Sequence, residues 1–309
     1  MSTPIDDKLL LCQNGVTRAS FSQFPTTPLQ VDVRLIDSTT SLSSLPKSTF
    51  LEVFSFIQHL ARHLKHELGI HRFGLISEGQ SVVSLIPMHG IEEGSEWKPI
   101  MAADSIFFGE KFPGYISSRN GKKMSEDELN VVRDALRAVS GLREEDIGKF
   151  LIGEHDRQNL FARLIVEDIP CWKYHDTADH VAFLTPFPNT TGYSCVIPKR
   201  HYSSDILAMP EEPYRSLVAC GWDVAQQMKK AFGIENVGFI MEGYEINHAH
   251  FKVVPIFERD RAEDSPDAAW FDRYEGYLTS QKGKQLQEGE ELQQLQEMAS
   301  TLRGKLRSL

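Results

Sequence analysis

Three side chains in one short run have the types and spacing for nucleophilic or metal-binding chemistry. They are His248, His250 and Lys252, within Glu245-Ile-Asn-His-Ala-His-Phe-Lys-Val-Val-Pro255. Alternate residues of an extended strand face the same way. Imidazole, imidazole and ammonium are therefore predicted to share a ligand-facing side, while Ala249, Phe251 and Val253 share a packed one. A neutral imidazole near pH 7 can attack an electrophile or ligate a metal. Two such histidines with His201 as a third donor would suit a metal, but the fixed charge of Lys252 opposes a nearby cation. The site is therefore read without a metal.

The elements that must hold this run emerge from an internal repeat. Gly74-Leu-Ile-Ser-Glu-Gly79 resembles Gly238-Phe-Ile-Met-Glu-Gly243, an offset of 238 − 74 = 164. The same offset pairs Pro46 with Pro210 and Gly69-Ile70 with Gly233-Ile234. Farther on, Gly114-Tyr-Ile-Ser-Ser118 resembles Gly276-Tyr-Leu-Thr-Ser280, and Gly121-Lys122 resembles Gly283-Lys284, at 277 − 115 = 162. Residues 1–150 and 151–309 thus read as two copies of one fold.

In the second copy, strands are predicted at 172–175, 181–184, 193–197 and 237–241. A helix of about 20 residues follows Pro210, with an apolar stripe and a stop at Gly233. In the first copy, strands are predicted at 30–35, 73–77 and 82–86, with a helix over 49–68 ended by Gly69. Ser125-Glu-Asp-Glu128 is a capping-box start for a terminal helix. Gly121-Lys-Lys and Gly283-Lys-Gln lack the glycine pair and Ser/Thr of a phosphate-binding loop; their recurrence marks a structural turn. Residues 145–157 are polar and read as the connection.

The bulk numbers narrow the partners. The length of 309 residues suits two domains. No apolar run is long enough to span a bilayer, so no membrane partner is expected. A formal charge of −10 argues against non-specific nucleic-acid binding. Cys12, Cys171, Cys195 and Cys220 form no CxxC pair, which disfavours both a disulfide scaffold and a cysteine zinc site. With no signal-peptide pattern at the N-terminus, cytoplasmic or nuclear residence is expected, and the sequon at Asn189 carries little weight.

Three segments of the second copy together resemble the histidine-triad (HIT) superfamily. Asn159 to Cys171 resembles its opening strand and turn. Ala182 to His201, ending Val-Ile-Pro-Lys-Arg-His, resembles its second and third strands. His248-Ala-His-Phe-Lys-Val-Val-Pro255 resembles its signature strand, with a helix between the last two segments. The resemblance covers most of residues 157–258. It implies an α+β fold with a five-stranded antiparallel sheet per unit. As in the branch of galactose-1-phosphate uridylyltransferase, two fused units would form an intrachain pseudo-dimer.

The resemblance also implies chemistry. His250, the middle position, would attack the α-phosphorus of a nucleotide or nucleotide conjugate, and the nucleotidyl-histidine would be resolved by water or a phosphate. The carbonyl of His248 would fix the His250 tautomer, and His201 would lie near the phosphate. Lys252 departs from the pattern, where hydrolases carry histidine and transferases glutamine. It can stabilise charge but is no near-neutral acid without a strongly lowered pKa. Thr185 stands at the ribose position, where Asp or Asn is common. Ile169, Phe183 and Leu184 would line the base pocket, and either Lys199 or Arg200 would face phosphate. No cofactor is implied beyond a divalent cation accompanying the nucleotide.

The first copy lacks the histidines. His201 corresponds to Asp37 at offset 164, and His250 to Ile86 or Val82, depending on the gap; His89 lies outside the strand pattern. This copy is expected to be catalytically silent, to supply half the sheet and to lend residues to the other site, with Trp97 and Tyr115 as candidates. The resulting expectation is a HIT-type phosphohydrolase acting on a dinucleoside polyphosphate or nucleoside phosphoramidate. A nucleotidyltransferase or phosphorylase and a non-catalytic nucleotide-binding protein are the alternatives.

Overall fold

The computed structural model describes residues 7–91, 112–257 and 270–306. The first half contributes β1 (Leu10–Gln13), β2 (Thr17–Phe21), β3 (Val31–Leu35), β4 (Phe73–Ser77) and β5 (Val82–Pro87). The second contributes β6 (Trp172–Asp176), β7 (His180–Leu184), β8 (Ser194–Pro198), β9 (Asn236–Met241) and β10 (Phe251–Ile256). All ten join one sheet in the order β1-β2-β3-β5-β4-β9-β10-β8-β7-β6, with every neighbouring pair antiparallel. The fold is therefore α+β, with two five-stranded halves paired edge to edge within one chain.

The junction is approximately two-fold. Across β4 and β9, Leu75 faces Met241, Ile76 faces Ile240 and Ser77 faces Phe239. Because 240 − 76 = 164, Ile76 meets its own repeat mate. A self-complementary contact of this kind is the mark of an isologous dimer interface. Here it covers the edges that each half-sheet would otherwise leave unpaired.

Two helices of equal length cover one face. Helix α1 (Lys47–Leu68) and helix α4 (Glu211–Phe232) each start after a proline and end at a glycine with φ 63°. That left-handed cap suits glycine. The helices pack on each other: Tyr214 Oη donates to the Phe54 carbonyl at 3.1 Å, and Gln58 Nε2 to that of Met209 at 2.9 Å. Beneath them Phe50, Phe54, Phe239 and Phe251 pack ring on ring, at centroid separations of 4.4–6.1 Å. Ala249, Phe251 and Val253 belong to this core, as the alternation of the motif predicts. Each such phenylalanine contributes roughly 1.5–3 kcal/mol through burial.

The terminal segments of the halves are exchanged. Helix α2 (Glu126–Ser140) starts with the expected Ser125–Glu128 capping box yet packs on the second half. Arg137 Nε donates to the Lys173 carbonyl at 2.8 Å, and Gln227 Nε2 to that of Leu136 at 2.8 Å. Helix α5 (Glu290–Lys305) returns to the first half, where Arg303 Nε donates to the Leu10 carbonyl at 2.9 Å. The crossing strands touch at an antiparallel bridge between Ser117 and Thr279, where 279 − 117 = 162. The recurring Gly-Lys turns lie just beyond. Gly121 N–H donates to Phe187 O at 2.9 Å, and Gly283 N–H to Phe24 O at 3.1 Å. A Cβ would sit 1.9 Å from the Pro188 carbonyl oxygen at Gly121 and 1.8 Å from that of Pro25 at Gly283. Only glycine allows this approach.

Two local expectations are corrected. Asn159 to Cys171 does not open with a strand. Leu160–Ile165 is a short helix, α3, whose N-cap Asn159 accepts hydrogen bonds from the backbone of Phe161 and Ala162. A brief apolar run is ambiguous between strand and helix, and the asparagine cap decides it. The strand β10 begins only at Phe251, so His248 and His250 precede it in the preceding loop.

Candidate active site

A cavity of about 560 Å³ opens between β7, β8 and β10, helix α3, and the crossed segment from the first half. His250 and Lys252 form its floor, and Ile169, Phe183, Leu184 and Thr185 are on its walls. Six residues predicted from widely separated stretches therefore converge. An apolar cleft with few polar groups is the ordinary form of a small-molecule site.

His250 presents an unprotonated ring nitrogen. Its Nδ1 lies 2.8 Å from the His248 carbonyl oxygen. A carbonyl only accepts, so Nδ1 carries the proton and Nε2 keeps its lone pair. This is the tautomer-fixing contact expected from the sequence. Burial, then the Lys252 cation, push the His250 pKa down to about 3, outweighing the His248 hydrogen bond. The ring is neutral at pH 7. The Phe161 ring stands edge-on at 5.2 Å between centroids.

Lys252 is not free. Its Nζ is 3.1 Å from Glu242 Oε2, in a pair whose side chains are 8% and 2% exposed. Burial alone would lower the lysine pKa, but the charge of Glu242, with Tyr193 and Glu245, raises it above its ordinary value. The ammonium is permanent. Motif reasoning passed over Glu242, the ion-pair partner of Lys252, although it stands in the repeated Gly-Phe-Ile-Met-Glu-Gly. Its other oxygen accepts from Ser118 Oγ at 2.8 Å and from Tyr274 Oη.

The other histidines lie behind the site. His248 is fully buried, donates from Nε2 to the Pro198 carbonyl at 2.9 Å, and is pushed down to about 4 by burial against the opposing pull of that bond. It does not line the cavity. His201 is half-buried with Nε2 2.9 Å from the Asn247 carbonyl, and its ring lies 5.3 Å edge-on from that of His248. His155, which no motif singled out, stacks 6.0 Å from His248. Among the described residues no group of three His, Cys, Asp or Glu side chains is arranged to hold a metal ion.

Other expectations shift. Lys199 is turned away from the cavity: its buried Nζ meets Asp176 Oδ1 and the Thr177 carbonyl, both at 2.7 Å, and lies 4.3 Å over the Phe150 ring. Strand alternation did not decide between Lys199 and Arg200, nor show the carboxylate waiting there. Arg200 is exposed. Asn189 is buried and donates to the Ser117 and Arg119 carbonyls, so the sequon is closed to modification. Trp97 lies outside the described residues, and Tyr115 is half-buried off the cavity. The first half instead lends Ser118, Arg119, Lys123, Met124 and Glu126 to the walls. Their sequence signal was the Gly121 turn, which anchors this segment.

The register settles the repeat correspondence. Ser84 pairs with Ile76, and Lys252 with Ile240. Ser84 and Lys252 are therefore equivalent, at 252 − 84 = 168, which places Val82 at the His250 position and excludes Ile86. On the neighbouring strand Leu35 pairs with Thr17, and Pro198 with His180. The offset there is 198 − 35 = 163, which extended past the strand end puts Ser38 rather than Asp37 opposite His201.

Comparison with known proteins agrees with the motif. No family model matches the chain. An uncharacterised HIT-like protein of Methanocaldococcus jannaschii is 28% identical over 105 residues, 33% of this chain and 81% of that one. An adenosine 5'-monophosphoramidase of Schizosaccharomyces pombe is 29% identical over 101 residues, 31% of this chain and 72% of the relative. Among solved structures, an ADP-glucose phosphorylase of Arabidopsis thaliana aligns over 78% of this chain and 72% of its own, at 9% identity and a TM-score of 0.47. The curated relatives it matches include several HIT-like proteins, each similar over about a third of this chain.

Proposed function

We propose that this chain is a nucleotide-processing phosphohydrolase that cleaves a nucleoside phosphate derivative at the α-phosphate through a nucleotidyl-His250 intermediate. The observation that carries the reading is the Nδ1–H of His250 on the His248 carbonyl, which leaves a neutral Nε2 at an otherwise apolar cavity. The base would lie against Phe183, Leu184 and Ile169 and the ribose near Thr185. Lys252 would offset charge building on the pentavalent phosphate. A relative named adenosine 5'-monophosphoramidase supports the nucleotide class.

In this reading the second unit, residues 151–309, holds the reacting groups. The first, residues 1–150, is catalytically silent, since Val82 cannot form the covalent bond. It completes the sheet and contributes the wall from Ser118 to Glu126. No described helix is long and apolar enough to cross a membrane. Four free cysteines fit a reducing compartment, cytoplasmic or nuclear.

A nucleotidyltransferase or phosphorylase is the second reading. Arg119 and Lys123 on the cavity wall suit an anionic acceptor such as phosphate. Assaying release of nucleoside monophosphate from adenine and guanine conjugates, with and without added phosphate, separates the two. Turnover in water alone supports hydrolysis, and dependence on phosphate supports transfer. Saturable binding with no turnover would leave a nucleotide-binding protein.

A further inference from the structure

The proton supply of the site points to the kind of bond it breaks. Lys252 stands where an acid would serve the leaving group, but it is buried in an ion pair with Glu242 at 3.1 Å. Glu242 is held by both halves of the chain. Ser118 Oγ, from the crossed segment of the first, donates to it at 2.8 Å. Tyr274, from the returning segment of the second, donates to the same oxygen and is fixed by its backbone N–H to the His89 carbonyl at 2.9 Å. The turn that follows is pinned as well. Arg72 of the first half donates to the Gly243 carbonyl and to Ser204 Oγ. A Cβ at Gly243 would meet the Ser204 carbonyl oxygen at 2.0 Å. The carboxylate cannot swing away from Lys252 without breaking these contacts.

The thiols and the phenol on the wall are poor donors. Burial pushes the Cys171 thiol up to about 12 and the Cys195 thiol up to about 11, and raises the Tyr193 phenol above its ordinary range. Glu245 also faces the cavity, and because burial raises its pKa it is the rival acid that the test must address.

We propose that Glu242 is a positioning residue that fixes Lys252 as a permanent cation, and that the site thereby selects substrates whose leaving group departs as a stable anion, phosphoanhydrides, over phosphoramidates that must release an amine. The inference rests on the nucleotidyl-His250 reading. In the first step His250 Nε2 forms a bond to the α-phosphorus and the P–O bond to the leaving phosphate breaks, with its electron pair staying on oxygen. Lys252 offsets that charge without giving up a proton. Water then forms a P–O bond, the P–N bond breaks, its pair returns to Nε2, and the water proton passes to solvent. A P–N leaving group would need a proton at departure, and Lys252, held by Glu242, does not release one.

The test compares the full chain on diadenosine polyphosphates, ADP and adenosine 5'-phosphoramidate by kcat/KM, alongside intact-mass detection of the adenylyl adduct. General acid catalysis is worth on the order of 100-fold or more, so the wild type should favour the anhydrides by at least about that factor. Lys252→His, which supplies a near-neutral acid, should narrow the preference at least tenfold. Glu242→Gln should slow anhydride cleavage through kcat rather than KM, and Glu242→Asp should recover part of it. If Lys252→His fails to fold, Glu245→Gln gives an independent arm: a wild type that cleaves the phosphoramidate as fast as the anhydrides, with that activity lost in Glu245→Gln, makes Glu245 the acid and overturns the proposal. An adduct with amine preference overturns this inference alone. No adduct from any substrate overturns it together with the reading beneath it.

Discussion

The two halves share strand order, helix lengths, caps and crossing turns, yet among the described residues the paired histidines His248 and His250 stand in the second half alone. The difference lies in the turn between the last two strands of each half. Between Gly79 and Val83 there are three residues, and between their counterparts Gly243 and Phe251 there are seven. In the first half the short turn closes on itself, with Ser77 Oγ donating to the Val82 carbonyl at 2.6 Å. In the second, the four additional residues carry the chain across to the neighbouring strand. There His248 meets the Pro198 carbonyl and its own carbonyl receives His250 Nδ1. The strands on either side answer this change. Where the second half has Lys252 beside Cys195, the first has Ser84 beside Asp32, with Ser84 Oγ on Asp32 Oδ1 at 2.8 Å. The two edges thus differ in loop length and a few side chains on the same sheet plan.

That comparison can be broken most forcefully at the join. Removing residues 1–145 strips β9 of its partner, uncovers the α4 face and takes away the cavity wall from Ser118 to Glu126. The remaining chain should lose all measurable turnover and sediment as aggregate or oligomer. A soluble, fully active fragment would show that the first half is dispensable.

Glu242 and Glu78 offer a matched pair. Both accept from a serine of the other half's crossing segment, Ser118 and Ser280, each at 2.8 Å. Glu242 also neutralises the buried Lys252. Glu242→Gln should therefore destabilise by about 3–5 kcal/mol, the usual consequence of stranding a buried charge. Ser118→Ala, which leaves the Lys252–Glu242 pair in place, should cost about 1 kcal/mol, the worth of an ordinary hydrogen bond. Chemical denaturation of the two variants measures the contrast, and equal losses would remove the special role given to the Lys252 pair.

The glycine pair sharpens it differently. Gly121→Ala and Gly283→Ala meet the same carbonyl obstruction in the two halves, so they should lower Tm by similar amounts. Only Gly121→Ala displaces the segment that walls the cavity, and it alone should raise KM. A further effect is expected in acid. His250 and His248 are held neutral down to about 3 and about 4, below the ordinary histidine value near 6.5. As pH falls from about 6.5 towards those values, the unfolded chain binds protons that the folded chain refuses, so stability drops by about 1.4 kcal/mol per pH unit per group. His250→Gln should make the slope of stability against pH shallower by one proton, while Val82→Gln in the first half should leave it unchanged.

Much of this was legible in the sequence because it rests on local periodicity and on the repeat. Paired glycines marked both long helices and both Gly-Lys turns, and alternation around His250 placed Phe251 and Val253 in the core. What escaped depends on contacts distant in sequence. Glu242 gains meaning only when Ser118 and Tyr274 close on it. Alternation left Lys199 and Arg200 undecided, and only the fold shows Asp176 as the partner of Lys199. The exchange of α2 and α5 leaves no mark in composition, since each helix is amphipathic whichever half it covers. The short strands β1 and β2 carry mixed patterns that tertiary pairing decides.

The central claim is that one half of this duplicated chain carries a covalent nucleophile. Rapid acid quench after mixing with a diadenosine polyphosphate, followed by peptide mapping under conditions that preserve phosphoramidate bonds, tests it directly. The account predicts one adenylyl group per chain, on His250, in the wild type and none in His250→Ala. An adduct on another residue, or turnover persisting in His250→Ala, would contradict it.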